Sequence, residues 1–575
     1  MKKHPTMLVL FCLLVIPSYF WAQSNSNELK PVTRTYALTQ ATVVTEPGKM
    51  IEGATVIIKD GLILAIGKNV KIPIDAQVVK ADSMYIYAGF IEGLSHTGIP
   101  KAEPQQGGPQ QAPQVKDPGS PPNNLAGITP EKRLAEALKA KDKSVADMRK
   151  LGFTAANVVP NGQMLPGQGA LIMLHGDNAD KMILKDNTSF FSKLSGARRM
   201  YPATVIAVIA KWRELYRQAE LAQTHEKAYK KSPSGMTRPS YDPVLQAFYP
   251  IINKEQSVFF KATDVKSAYR VLSLQKEFDL PLVIAELKQG WHVADELSKR
   301  KIPVLISMDL PEDKEGKGDK QKGGKKEDKK EEAKDDDPFK AEREALMKRK
   351  MKSLKEHWAN AAQLEKAGVT FGFSTLDVKS KDVKGNLRKM IENGLSEEAA
   401  LAALTTVPAK MLGVSDMLGS VATGKIANLV VTDKPYFEEK SNVRYVFVEG
   451  NKYEFEAKKP SKKGDPNAKV SVAGKWSYNF EAMGQEMDGI LELVDNGGEI
   501  SGSITNTAMD SKNDIDSAEL NGNELSFSIK IDGGGQTVTV EYNLVIDGDS
   551  MEGTVSAGQF GTFDLEGERI SNPDK

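Results

Sequence analysis

The stretch YIYAGFIEGLSH, residues 85–96, ends on a side chain able to bind a metal or move a proton, His96. Alternate residues of a strand point to the same side, so a histidine two positions earlier would complete a pair of metal ligands. That position is Leu94. A second histidine, His175, follows the apolar run GALIML and precedes a Gly-Asp turn, where it could border a cavity at a strand end or simply cap the turn. The 575 residues hold six histidines, sparse for a centre of two metals. His225 and His357 fall on polar helical stretches, His292 on another helix, and His4 near the N-terminus. Cys12, the single cysteine, lies in an N-terminal apolar run, so no disulfide or thiolate chemistry is expected downstream. The Gly-rich run 161–174 is not followed by a helix with a phosphate-binding lysine, which argues against nucleotide.

Elements must position these groups, and the chain is long enough for two or three domains. A formal net charge of +1 gives no basic surface for nucleic acid. Residues 1–22, with Lys2 and Lys3 before an apolar run broken by Pro17 and a small residue at Ala22, read as a secretory signal peptide. The expected location is periplasmic or secreted, and no membrane span is expected.

Residues 23–84 contain β-branched runs joined by Asp-Gly turn chemistry, such as ATVIIKDGLILAIG. From residue 85 the pattern alternates buried strands (YIYAGFIEG, TAANVVP, GALIML, SVFFKA, LPLVIAEL, IPVLISMDLP, VTFGFS) with helical stretches, as in a parallel α/β barrel. Two inserts interrupt it: a Pro/Gly/Gln-rich loop over 101–125 and a mixed-charge tract over 312–337 that cannot form a core. Strands return over 418–456, residues 457–468 read as a linker, and 469–575 read as hairpins of a small antiparallel barrel or sandwich. There Trp476, Tyr478 and Phe480 alternate along one strand and are expected to fill the interior, although a carbohydrate-binding or cell-surface-binding role is the alternative.

Three features together resemble the amidohydrolase superfamily, specifically its imidazolonepropionase-like, composite-domain branch. One is the opening segment from ATVVTEPGKM into GFIEGLSH. Another is the closing segment NGLSEEAALAALTTVPAKMLGVSDMLGSVATGKIANLVVTDKP. The third is the spacing between them, which suits eight strands. The resemblance implies a (β/α)8 TIM-type barrel over 85–417, flanked by a β-sandwich composed of 23–84 and 418–456. It also implies hydrolysis of C–N bonds in small amides, cyclic amides or dipeptides, by a water activated on divalent metal.

The same resemblance places ligand positions at the ends of strands one, five, six and eight. Here they hold Leu94 and His96, Lys261, Glu286 and Ser374, with Asp377 three residues further on. Leucine cannot coordinate a metal, and an ammonium repels one unless carbamylated. The candidate groups are therefore Ser374 and Asp377 for catalysis, Lys261, Glu286 and His175 for binding, and His96 as the one kept metal ligand. No cofactor is expected beyond a single divalent ion such as zinc. A buried Lys261–Glu286 ion pair is expected in the volume the metals would fill. The alternative function is a metal-free, inactive fold that binds a small amide or peptide-like ligand, or a partner: a second copy or a related amidohydrolase.

Overall fold

The computed structural model describes residues 35–100, 115–312, 340–455 and most of 465–571. The signal-peptide segment 1–22, residues 101–114, nearly all of the charged tract 312–337 and most of the linker 457–468 lie outside the described residues. The chain divides into two compact units, 1–456 and 457–575. No helix among the described residues is long and apolar enough to cross a membrane.

The first unit is built on a closed eight-stranded barrel. In chain order its strands are β1 Phe90–Ser95, β2 Phe153–Val158, β3 Gly167–Met173, β4 Ile183–Lys193, β5 Val258–Lys261, β6 Leu282–Leu287, β7 Val304–Ser307 and β8 Phe371–Ser374. Alternation along them sorts the side chains. Phe191, Phe259, Val283 and Leu305 fill the interior, while Phe190, Phe260, Ile284 and Val304 pack against the outer helices. Those helices start where the side chains allow. Thr204 caps Val205–Lys231 through Ala207 N–H, and Asp264 caps Val265–Phe278 through Ser267 N–H.

The barrel departs from the all-parallel arrangement expected. β3 runs antiparallel to both β2 and β4, and the other neighbours are parallel. The reason is length: only residues 159–166 join β2 to β3, and a parallel crossover needs about a dozen residues. A hairpin is what remains.

Both ends of the unit meet in one eight-stranded sheet. Leu429–Thr432 pairs antiparallel with Tyr85–Ala88, and Thr35–Glu46 lies on the other side of that strand. Tyr85–Ala88 thus belongs to this sheet and not to the barrel, which starts at Phe90. Tyr36 and Phe447 sit on strands three steps apart in the sheet, about 14 Å if it were flat. Their ring centroids are 5.5 Å apart. The sheet therefore coils over itself around Leu38, Val56, Ile58 and Leu429.

Within the Pro-rich insert, part of the loop expected to be loose is tied down. Asp117 accepts from Gly119 N–H at 2.9 Å, and Tyr201 N–H donates to the Pro118 carbonyl at 2.9 Å. The helical pattern of PEKRLAEALKAKDKSVADMRKLG, residues 130–152, reads as one helix, but the fold makes a single turn at Leu134–Glu136 and then Lys143–Lys150 capped by Asp142.

The second unit is a nine-stranded antiparallel sheet. Its edges meet at 511–521. Ser511–Asp514 pairs with Ile500–Asn506 on one edge and Ser517–Asn521 with Glu524–Gly533 on the other. Ile515 N–H reaches Gly502 O at 3.0 Å and Asp516 N–H reaches Ser528 O at 2.9 Å, so the sheet rolls up around Trp476, Tyr478, Leu544 and Leu565.

Candidate site at the barrel mouth

The C-terminal ends of the parallel strands form one rim. Lys193 of β4 stands in register with Lys261 of β5, Ser307 of β7 with Ser374 of β8, and Ser374 with Leu94 of β1. Lys261 follows Phe259 on the inward face of β5, and Lys193 follows Phe191 on that of β4. Leu94 is fully buried at the position where a first histidine would stand.

Glu286 reaches the mouth by a local break in β6. Ala285 pairs with Leu305 and Leu287 with Ile306, so the glutamate is the extra residue of a bulge. Its φ of +60° is left-handed, which costs a residue with a Cβ about 1–2 kcal/mol. The bulge turns its carboxyl inward, where it is fully buried and neither oxygen has a hydrogen-bond partner among the described residues. Burial, then repulsion by Asp377, pushes its pKa up, while Ser307, Ser374 and Lys261 nearby act the other way. The balance is a carboxyl that holds its proton more readily than an exposed one.

The expected Lys261–Glu286 pair is not formed, and the burial of Glu286 gives the physical reason. A carboxyl that can become neutral avoids the desolvation penalty of a buried charge without needing a cation. Lys261 instead donates to both carboxylate oxygens of Asp377, at 2.8 and 2.6 Å. Asp377 lies on the loop after β8 and also lines a neighbouring cavity of ≈ 410 Å³ with Lys288, Asp309, Lys379 and Asn386.

His96 also reaches the mouth, and its role follows from one bond. Nδ1–H donates to the Val159 carbonyl at 2.7 Å, so the neutral ring presents Nε2 as an acceptor. Burial, with Lys193 and Lys261 nearby, pulls its pKa down to about 4. The Ser374 hydroxyl donates to the Leu94 carbonyl at 3.1 Å. His175 is elsewhere. Because β3 is reversed, its C-terminal end lies at the opposite end of the barrel, where His175 Nδ1 bonds the Tyr453 hydroxyl and Arg149 stacks on the Tyr453 ring. It packs barrel against sheet.

Three residues of the rim do not stand out in the sequence: Lys193, Ser307 and Glu92. Lys193 does leave a visible signal, since FFSK repeats the aromatic-pair-then-lysine ending of VFFK in β5. Glu92, fully buried two residues before Leu94, accepts from Thr375 Oγ1 at 2.5 Å and from Ser95 Oγ at 3.2 Å. Burial lifts its pKa to about 7.

The family model described as the amidohydrolase family matches residues 292–453, from before β7 through β8 to the returning strands. Over that stretch, which includes the last two barrel strands, the chain is similar to the amidohydrolase family. An amidohydrolase from Thermotoga maritima MSB8 has the same fold, at TM-score 0.57 and 21% identity, covering 73% of this chain and 100% of that one. Two weaker likenesses are a prolidase complexed with N-methylphosphonate-L-proline (TM-score 0.43, 16% identity, 73% and 100% covered) and a putative prolidase from Bifidobacterium longum (0.42, 15%, 74% and 95%). No curated protein matches the chain.

The superfamily's divalent metals can be tested against the donors present. Among the described residues no three His, Cys, Asp or Glu side chains converge as a metal group. Lys261 and Leu94 stand at two of the positions that the resemblance assigns to ligands, the Lys261 ammonium is engaged by Asp377, and burial pushes the Glu286 pKa up. These residues do not fit a binuclear centre.

Proposed function

We propose that the chain is an amidohydrolase of the C–N hydrolase kind whose mouth takes a small amide, cyclic amide or dipeptide-like molecule and works with acid–base side chains in place of a binuclear metal centre. The family match supports the class, and one observation carries the rest: the Lys261–Asp377 pair lies where metal ligands would stand. In this reading protonated Glu286 is a hydrogen-bond and proton donor toward an amide, as a buried neutral acid can be. The free Nε2 of His96 accepts a proton from a ligand or water. The N-terminal segment supports export to the periplasm or beyond.

A second reading, binding without turnover, draws support from two details. A histidine with a pKa near 4 is a weak base, and the Ser374 hydroxyl is committed to a backbone carbonyl. The test is metal analysis of protein purified without chelator, followed by assay on a panel of N-acyl amino acids, cyclic amides and dipeptides. Turnover without stoichiometric metal is the expected result. Binding without turnover selects the second reading, and stoichiometric zinc, manganese or iron with metal-dependent turnover overturns both.

A further inference from the structure

We infer that the protein carries a second ligand site, a groove on the outside of the barrel that takes a small organic ammonium ion. The groove lies apart from the mouth and is independent of the chemistry proposed there.

Its volume of ≈ 420 Å³ suits a small ligand. Two buried glutamines build the floor. Gln168 of β3 stands opposite Phe190, which packs against the outer helices, so its side chain leaves the barrel outward. Its Nε2 donates to the Pro130 carbonyl at 2.8 Å. Gln256, just before β5, donates through Nε2 to Gln168 Oε1 at 2.6 Å and to the Asn187 carbonyl at 2.8 Å. Both N–H groups of Gln256 are thereby used, and its carbonyl oxygen is left as an acceptor. The helical wall is equally fixed. Glu226 on the helix Val205–Lys231 accepts from the Tyr249 hydroxyl at 2.8 Å and from Gln246 Nε2 at 3.3 Å. Asp242 caps Pro243–Gln246 and so sets the place of Tyr241, which lines the groove and is 79% exposed.

What these walls lack is a donor. Glu131 lines the groove, and its Oε2 is buried with no hydrogen-bond partner among the described residues. A carboxylate oxygen in that state is costly and calls for a donor. Glu255 lines the groove as well, and among the described residues neither glutamate has an ion-pair partner. Arg133, the cation of the lining, is held by Asp186. The groove thus carries uncompensated negative charge beside the apolar surfaces of Pro243, Ala247 and Pro250 and the open ring of Tyr241. An ammonium on an apolar stem meets each of these features. Its N–H groups donate to Glu131 and the Gln256 carbonyl, its stem covers the prolines, and its charge faces the tyrosine ring. A neutral polyol would leave the charge unbalanced, and an anion would be repelled.

The experiment is titration calorimetry of the full chain with phenethylamine and with phenethyl alcohol, which differ in the charged group alone. Wild type should bind the amine roughly tenfold or more tightly than the alcohol. Glu131→Gln should remove that preference, and Tyr241→Ala should weaken amine binding roughly two- to fivefold. Equal affinity for the two compounds overturns the inference, as does the absence of heat from the amine up to about 10 mM. An amine preference that Glu131→Gln leaves intact places binding elsewhere and overturns it too. If Glu131→Gln does not fold, the salt dependence in wild type decides. Affinity for the amine should fall between about 20 and about 500 mM salt, and a flat profile overturns the inference.

Discussion

Lys261 and Glu286 stand at neighbouring strand ends, and their mutational signatures should differ because only Lys261 has an ion-pair partner among the described residues. The Lys261–Asp377 side chains are 21% and 35% exposed, so solvent screens the pair. Lys261→Met should cost at most about 1 kcal/mol in urea unfolding. A double-mutant cycle with Asp377→Asn should recover most of that loss as coupling, whereas a cycle with Glu286→Gln should give less than about 0.5 kcal/mol. Strong coupling to Glu286 would mean that the acid is ionised. Glu286 itself should tilt the pH dependence of stability. Its folded pKa is raised, so its contribution is fully present below the unfolded carboxyl value. It is lost as pH climbs from there toward the folded value. Glu286→Gln removes the proton linkage. The variant should therefore gain on wild type in denaturant melts as pH goes from about 4 to about 8. Parallel curves would refute the protonated acid.

The bulge in β6 and the reversed β3 are features of whole elements, and both turn on short-range sterics. So does the tight contact inside β1. A Cβ added at Gly93 would lie 2.6 Å from Leu305 Cδ2 and 2.6 Å from the Phe373 carbonyl oxygen. The first can move but the second is backbone of β8, paired to β1 at the site itself. Gly93→Ala should destabilise the first unit by about 1–3 kcal/mol. Adding Leu305→Ala should not rescue it, since the carbonyl clash persists. A neutral Gly93→Ala variant in thermal unfolding would show that β1 and β8 stand further apart. The direction of β3 follows from arithmetic: TAANVV and GALIML are too close together for a helical crossover, so the residue spacing alone is enough to require their hairpin.

At the scale of the molecule, each unit has its own core and should unfold on its own account. The second unit centres on Trp476, fully buried, with Nε1–H on the Val472 carbonyl at 3.0 Å and the Arg569 guanidinium 4.1 Å above its ring. Calorimetry of the full chain should resolve two transitions. Trp476→Ala should lower only one of them, by a loss of about 3–5 kcal/mol. A single transition shifted as a whole would show that the units are coupled. The first unit cannot be trimmed in the same way, because Leu429–Thr432 pairs with a strand nearly 350 residues earlier, Tyr85–Ala88. The alternation of Trp476, Tyr478 and Phe480 points inward from the sequence alone, and Trp476 and Tyr478 are buried there.

By itself the sequence determined the barrel class and the second β unit, because alternation and helical period are local patterns that survive any tertiary arrangement. It also showed that Leu94 cannot serve as a metal ligand, which is chemistry and needs no coordinates. Only the tertiary structure decided who pairs with whom. Asp377 takes Lys261 because its loop folds back over β5, and Glu286 is drawn out of water because a left-handed residue turns it into the interior. His175 finds its partner in Tyr453, far along the chain on the returning sheet. Each of these depends on contacts between distant segments and on the desolvation they impose, and neither is present in the order of residues along the chain.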